Sequence, residues 1–423
     1  MRYFKASLVI GTISLLAMLV IDLTGWLHTA DTATGHLLAK IAPDGSLKDA
    51  PHTAVLIVAG LLAYIFAWFT ADISRPATKT VVALCGLALV LTASATLALY
   101  GIFHSPCQAF LTGLLSWLIA LCYGGSESGA RKRVLGRLFG QRLSRTQFAK
   151  LVDSTQPLNF PGTELNATVI VCEIHNHAEL LDTLGATDYV AMTNLYLKTV
   201  SDYLVEAGGY LDECGGESLR VVFGAPIERE DHAIAGCKAA LDAAARIDAL
   251  NKECDERWRQ RLDFRVGISS GPVVGAAYGG ARLGAFSVAG TTVEFARRLC
   301  AACANYGCRI LVGPETYLDA SEFVEARPIE MLRRADGRRI EIYEVLAPVN
   351  SLSPERAKSR DHFWKGVIYY RERKWDAAME EFTKARVPGI PDPGLDAYVL
   401  RIERARRGET AVQPAATSLA EIS

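Results

Sequence analysis

The chain has almost no excess of charge of either sign: 45 Lys and Arg stand against 46 Asp and Glu, a formal net charge of −1 over 423 residues. A balance this close leaves no basic footprint for a polyanion, so nucleic-acid binding is not expected. A small-residue cleavage pattern of the A-x-A kind is also missing behind the first apolar run, which argues against a removable signal peptide. The cysteines lack the arrangement of a zinc site. Cys300, Cys303 and Cys308 lie close together, but no fourth ligand is evident and the first two fall on a predicted helix, so ordinary buried thiols are expected.

What the chain has in abundance is apolar sequence, half of all residues, and it is concentrated before residue 127. Roughly 20 apolar residues cross the hydrocarbon layer as a helix. The runs predict four transmembrane helices over about 6–26, 53–71, 80–103 and 106–124, within a membrane domain of 1–126. Asp22 and Trp26 read as an interfacial end for the first. The segment 28–52 between the first two runs reads as a loop, too short for a separate sensor domain. Ligand sensing, if there is any, would then lie within the bundle; otherwise the helices anchor and dimerise the chain.

Charge orients the bundle. Residues 128–150 hold seven basic residues, Arg131, Lys132, Arg133, Arg137, Arg142, Arg145 and Lys150, and no acid. Arg2 and Lys5 precede the first run, and Arg75 and Lys79 lie between the second and third. The positive-inside rule then puts both termini in the cytoplasm of a multi-pass protein of the cell (inner) membrane. The basic segment can also touch anionic headgroups. Every cysteine from Cys172 onward falls on the cytoplasmic side, where disulfides are not expected.

After a basic helical connector at 127–165, strand and helix patterns alternate, which predicts an α/β domain with one sheet over 166–347. "ATVIVCEI" (167–174) is a strand, 185–207 a helix stopped by Gly208-Gly209, and 228–258 a long Ala-rich amphipathic helix. "DFRVGISSGPVVGAAYG" (263–279) reads as strand, Gly-Pro turn, strand; "CRILVGPETYLDA" and "RRIEIYEVLAP" read as closing strands. At 355–408, Gly366, Tyr369, Ala378, Phe382 and Ala385 fall at the spacings of one tetratricopeptide repeat. One repeat cannot bury a core alone, so it should dock on the preceding domain or a neighbour. The tail 409–423 is polar and expected to be disordered.

The chemistry centres on "LDECGGESLRVVFGAP" (211–226). Gly215-Gly216-Glu217 alone fits the turn of a diguanylate cyclase, the metal-binding hairpin of another nucleotide cyclase, or a plain tight hairpin. A second acid narrows the choice. Glu173 ends a strand rich in Val and Ile, where a carboxylate is costly unless paired or bound to metal. Two carboxylates from neighbouring strands suit Mg2+ ions that hold a triphosphate.

The order "TVIVCEI", "GGYLDECGGESLRVVFGAP", "EDHAIAGCKAAL", "FRVGISSGPVVGAAYG", "FSVAGTTVEFARRL", "YGCRILVGPETY" resembles the class III adenylate/guanylate cyclase homology domain. The upstream "LGRLFGQRLSRTQFAKLV" is similar to the segment that usually precedes it. The diguanylate family has the related hairpin but lacks the "VGISSGPVVG" and "VAGTTVEFARRL" blocks. The resemblance implies a ferredoxin-like sheet with flanking helices and a head-to-tail homodimer. It also implies two divalent cations, Mg2+ or Mn2+, and in-line attack of a ribose 3′-oxygen on the α-phosphorus of GTP or ATP. No Ser or Cys nucleophile is needed. It places Glu173 and Glu217 at the two metal positions, both Asp in the family, and Arg298 at the Arg that stabilises the reacting phosphorus. Arg309 stands where some members bind phosphate through Lys. Glu294 replaces the ring-face Asn of the family. Glu213 and Ser287 stand at the base-reading positions; a carboxylate accepts from guanine N1–H and N2–H2 and a hydroxyl donates to O6, which leans towards GTP. A second reading stays open, a catalytically inactive cyclase-like dimer that binds nucleotide or regulates other proteins.

The topology has a direct check. A reporter fused after Arg133 should read as cytoplasmic and one inserted at Asp44 as external; a cytoplasmic signal from the Asp44 insertion would sink the four-crossing arrangement.

Overall fold

A computed structural model describes residues 2–42, 46–73, 75–279, 284–333 and 337–407. Asp44, the side chain of Arg2 and the tail 409–423 lie outside the described residues. The chain divides into two compact units, Met1–Arg137 with Ala149–Leu158, and Leu138–Phe148 with Asn159–Ser423.

The first unit is built on α1 (Arg2–Leu23), α2 (Trp26–Ala39), β1 (Lys48–Asp49), α3 (His52–Asp72), α4 (Pro76–Leu99), β2 (Ile102–Phe103) and α5 (Pro106–Gly125). Four of its helices, α1, α3, α4 and α5, are long and apolar enough to cross a membrane. Small residues let them approach. Ala59, Ala63 and Ala67, four apart on α3, are buried, as are Ala109, Thr112, Ser116 and Ala120 on α5. The Ser116 hydroxyl donates to the Ala63 carbonyl at 3.2 Å. The stretch 28–52 is not simply a loop, as its polar sequence suggests, because α2 occupies much of it. α2 buries no residue, so no apolar stripe announces it.

α6 (Glu127–Phe139) and α7 (Arg145–Asp153) form the connector. Within the first unit, Arg131 is buried and donates to the carbonyls of Leu151, Val152 and Gln156, so one connector cation serves as a structural clamp.

The second unit continues with β3 (Thr163–Ile174), α8 (His177–Thr183), α9 (Ala186–Glu206), β4 (Tyr210–Cys214), β5 (Ser218–Phe223), α10 (His232–Trp258), β6 (Phe264–Tyr278), β7 (Ala285–Ala289), α11 (Thr291–Tyr306), β8 (Ile310–Val312), α12 (Pro314–Ala320), β9 (Val324–Arg333) and β10 (Arg339–Pro348). The strands make one mixed sheet, ordered β4-β5-β3-β6-β8-β10-β9, with β7 on the far end of β6. Ile170, Cys172, Ile174, Leu219, Val221, Val266 and Ile268 alternate onto the face covered by α9 and α10. α11 covers the other face at close range, since a Cβ on Gly267 would lie 2.2 Å from the Ala296 carbonyl oxygen.

Two local readings change. β6 does not turn at Gly271-Pro272; it runs through them, with Asn166 opposite Pro272. Pro272 is tolerated because β6 has no second neighbour there: pairing with β8 ends at Ile268 and pairing with β7 begins at Val274. In "CRILVGPETYLDA", only Ile310–Val312 is strand; Pro314 starts α12, where a missing N–H costs nothing.

Three helices end the described chain: α13 (Pro354–Arg371), α14 (Trp375–Ala385) and α15 (Pro393–Arg406). They dock on the α11 face. Phe363, Phe382 and Tyr398 pack with Leu299, Ile329, Leu332 and Ile342 in one buried cluster. Gly366 is needed for this, because a Cβ there would come within 2.7 Å of the Phe382 ring. Arg327 adds a mostly buried ionic tie from β9 to Glu344 at 2.7 Å and to Asp392, the residue before α15, at 2.5 Å.

Replacing Phe382 with Ala should therefore loosen the sheet as well as the C-terminal helices. A loss of about 3–5 kcal/mol is expected, measured as a lowered melting temperature of the purified chain; an unchanged melt would mean that the two do not unfold together.

Candidate active site

The main chains of the two acids are neighbours because β3 lies between β5 and β6. Glu173, next to last in β3, is opposite Ser218 of β5 and Arg265 of β6. Cys172 and Ile174 point into the α10-side core. Alternation therefore turns Glu173 to the opposite face. Glu217 lies in the turn between β4 and β5, and its carbonyl accepts the Ile174 N–H at 3.0 Å. Both acids are half-buried and neither has an ion-pair partner among the described residues.

Two free carboxylates at one end of a sheet, with a tight Gly-Gly turn beside them, suit a hard divalent cation whose other ligands come from a bound phosphate. No group of three or more His, Cys, Asp and Glu side chains is gathered among the described residues, so an all-protein metal cage is not what this site offers. Arg265 shares the Glu173 face and is held by Asp263 at 2.9 Å and by the Cys308 carbonyl. Sequence reading missed it; its position across from the acid depends on the β3–β6 register.

Glu213 and Ser287, the positions expected to read the base, lie on β4 and β7. These strands are tied by the Tyr210 hydroxyl, which donates to the Phe286 carbonyl, inside a cluster of Phe139, Phe160, Tyr210 and Phe286. Ser287, next to Phe286, is half-buried. Glu213 is exposed, and one of its oxygens lies 2.8 Å from the Arg220 guanidinium. Arg220 also reaches the buried Asp212 at 2.6 Å. Arg220 and Asp212 were missed too, although opposite charges facing each other in "LDEC" and "SLRV" were a usable signal. Arg142 of the connector completes the arrangement. Its guanidinium donates to the Asp212 carbonyl at 3.1 Å, and its own carbonyl accepts the Leu211 N–H at 3.0 Å.

Glu294 and Arg298 lie one turn apart on α11, and the Arg298 Nε donates to the Glu294 carboxylate at 3.1 Å. Arg309 lies elsewhere. Its guanidinium bonds Asp248 at 2.8 Å and the Ala244 carbonyl at 2.8 Å, both on α10, on the face opposite Glu173. Within one chain the structure therefore groups Glu173 with Glu217, Glu213 with Arg220, and Glu294 with Arg298, and keeps Arg309 apart from Glu173.

The buried thiols fit packing rather than chemistry. Burial pushes the Cys303 thiol up to about 12 and raises those of Cys172, Cys300 and Cys308 as well. The Cys303 Sγ donates to the Leu299 carbonyl at 3.3 Å.

The second unit is thus an α/β domain with one mixed sheet, Glu173 near the end of one strand and Glu217 in the turn before its neighbour, and Arg298 on a covering helix. Residues 162–343 match the family described as the adenylate and guanylate cyclase catalytic domain. Adenylate cyclase 1 of Rhizobium meliloti (strain 1021) is 24% identical over 192 residues, covering 45% of this chain and 29% of that protein. The adenylate cyclase of Anabaena cylindrica is 28% identical over 216 residues, covering 47% of this chain and 41% of that one. The chain thus spans well under half the length of these curated relatives. Among solved structures, the adenylyl cyclase CyaB from P. aeruginosa is similar at 23% identity, covering 46% of this chain and all of that one, with a TM-score of 0.42.

In the native protein a maleimide should modify the exposed Cys214 and spare Cys172, Cys300, Cys303 and Cys308 until denaturant is added, with no stoichiometric zinc. Peptide mass spectrometry and elemental analysis read this out; prompt native labelling of Cys303, or one zinc per chain, would contradict the packing role.

Proposed function

We propose that the chain is a membrane-anchored nucleotide cyclase that converts GTP or ATP to a 3′,5′-cyclic mononucleotide and pyrophosphate, working as a homodimer with two divalent cations. The observation that carries it is the pair Glu173, on β3, and Glu217, in the turn before the adjoining β5, neither with an ion-pair partner among the described residues, inside the family-matched segment. When bound, Mg2+ or Mn2+ would neutralise phosphate charge and acidify the ribose 3′-hydroxyl. Glu173 and Glu217 would hold them. Their side chains are one methylene longer than Asp, which suits Mn2+ better than the stricter Mg2+.

Arg298 would stabilise the reacting phosphorus from the neighbouring subunit, which requires it to leave Glu294. Glu213 and Ser287 would read the base. The remaining acceptor capacity of Glu213, beside the Arg220 contact, suits guanine N1–H and N2–H2, so GTP is the preferred substrate. Arg309 would bind phosphate, which requires it to leave Asp248 and the Ala244 carbonyl of α10. The four apolar helices would anchor the dimer with the cyclase domain and both termini in the cytoplasm. The α13–α14 hairpin, with Gly366 against Phe382, is read as a single tetratricopeptide-like repeat.

A second reading has its own observation. The carboxylate of Glu294, where the family has Asn, occupies Arg298. If that contact persists with nucleotide bound, the chain is a non-catalytic dimer.

The deciding experiment is turnover of GTP and ATP by the purified chain with Mg2+ and with Mn2+, the product identified by mass. Turnover with Mn2+ above that with Mg2+ is expected. Glu217→Ala and Arg298→Ala proteins should each be near background, since loss of a charge-stabilising Arg typically costs on the order of 10³-fold. Their mixture should recover up to about one quarter of wild type, because half of randomly paired dimers are mixed and each has one intact site of two. Active wild type without recovery would refute the shared site. No turnover with either metal, but a gain on Glu294→Asn, would favour the second reading.

A further inference from the structure

The first unit holds a polar cavity that the cyclase reading does not use. At the end of the bundle where α1 finishes and α3 begins, residues of α2, β1, β2 and the first turns of α3 and α5 enclose about 520 Å3. That volume falls in the range of small-molecule sites, roughly 300–1,000 Å3. Its described lining carries Asp31 and Asp49 with three histidines, His28, His36 and His52, and no Lys or Arg.

Gln108 of α5 supplies an independent observation. It lines the cavity and is only 4% exposed. Its Nε2 donates to the Asp22 carboxylate at 2.8 Å. A carboxylate only accepts, so this bond fixes which way the amide is turned and leaves Oε1 as the free end. Oε1 is buried with no hydrogen-bond partner. A buried acceptor left unmade is a standing cost that a ligand donor would remove. The carboxylate of Asp31 on the same wall already accepts from the Ser105 hydroxyl and, as an acceptor-only group, has the same preference for a donor.

The geometry points to a binding site for a small organic ammonium compound. Its N–H groups would donate to Gln108 Oε1 and to the carboxylates of Asp31 and Asp49. Its carbon portion would lie against Phe103 and Val55, with the ring face of Phe103 also favouring a cation. An anion finds no Lys or Arg in the described lining, and its three histidines are cations only when protonated. A bare metal ion is disfavoured because the described residues gather no three ligating side chains in reach of one point. The site stands independently of the cyclase reading, and its test needs no turnover.

Binding to the full chain in lipid nanodiscs is measured by calorimetry. The probes are 2-phenylethylammonium and putrescine, with 2-phenylethanol as the uncharged counterpart and Zn2+ as the metal alternative. Saturable binding of at least one ammonium probe and none of the alcohol is expected. Gln108→Leu and Asp49→Asn should each weaken it about tenfold, the loss expected for one charge-assisted hydrogen bond. Asp49 is exposed, so that variant stays informative if Gln108→Leu does not fold. The proposal is overturned if neither ammonium compound binds, if the alcohol binds equally well, if Zn2+ alone binds, or if Asp49→Asn binds like wild type.

Discussion

The antiparallel pairing of β3 with β6, unbroken from Thr163 with Gly275 to Ile174 with Phe264, is the constraint on which the second unit depends. A strand has period two, so a slip of one residue would exchange its faces. Here a slip would bury Glu173 under α10 and expose Cys172 to the other side. The cost is high in both directions: a carboxylate would be buried without a partner and an apolar set would be lost from the core. The register is therefore held by the hydrophobic pattern, and the pair Glu173–Glu217 is a consequence of it. Gly267 belongs to the same constraint. It lets α11 sit almost on the sheet, and α11 carries Glu294 and Arg298.

Magnitude decides how much weight the Glu294–Arg298 contact bears. It is an i, i+4 pair with side chains 51% and 29% exposed. Exposed helical pairs of this kind contribute about 0.3–0.5 kcal/mol, roughly a twofold bias in an equilibrium. The contact is therefore a weak restraint on Arg298. By contrast, the mostly buried Arg327 between Glu344 and Asp392 holds its fold strongly, because removing one member of such a pair leaves an uncompensated charge.

The connector is more than a spacer. Arg142 adds a main-chain bond to the outer edge of β4, the edge strand of the sheet, and a side-chain bond to the Asp212 carbonyl beside Glu213. Gln147 adds a bond to the Gly208 carbonyl at 2.6 Å, just before β4. These contacts cap an otherwise open edge and, within the second unit, tie residues 142–147 to the β4 hairpin that carries Glu213.

The amino-acid sequence by itself determined the four apolar spans, the order of strands and helices around the Gly-Gly-Glu hairpin, and the two acids Glu173 and Glu217. These are matters of run length, period and turn chemistry, which act over a few residues. Only the tertiary structure decided the rest. Pro272 stays inside a strand because of where β7 and β8 stop, and α2 forms without an apolar stripe. Arg309 turns to Asp248, a partner 61 positions away, which no local pattern exposes. Arg220 bridges Asp212 and Glu213 because β4 and β5 pair in that register. Gln108 keeps a buried acceptor because Asp22, 86 positions away, holds the other end of its amide. In each case the deciding energy is burial or pairing between distant segments, which depends on the packed chain and not on the neighbouring letters.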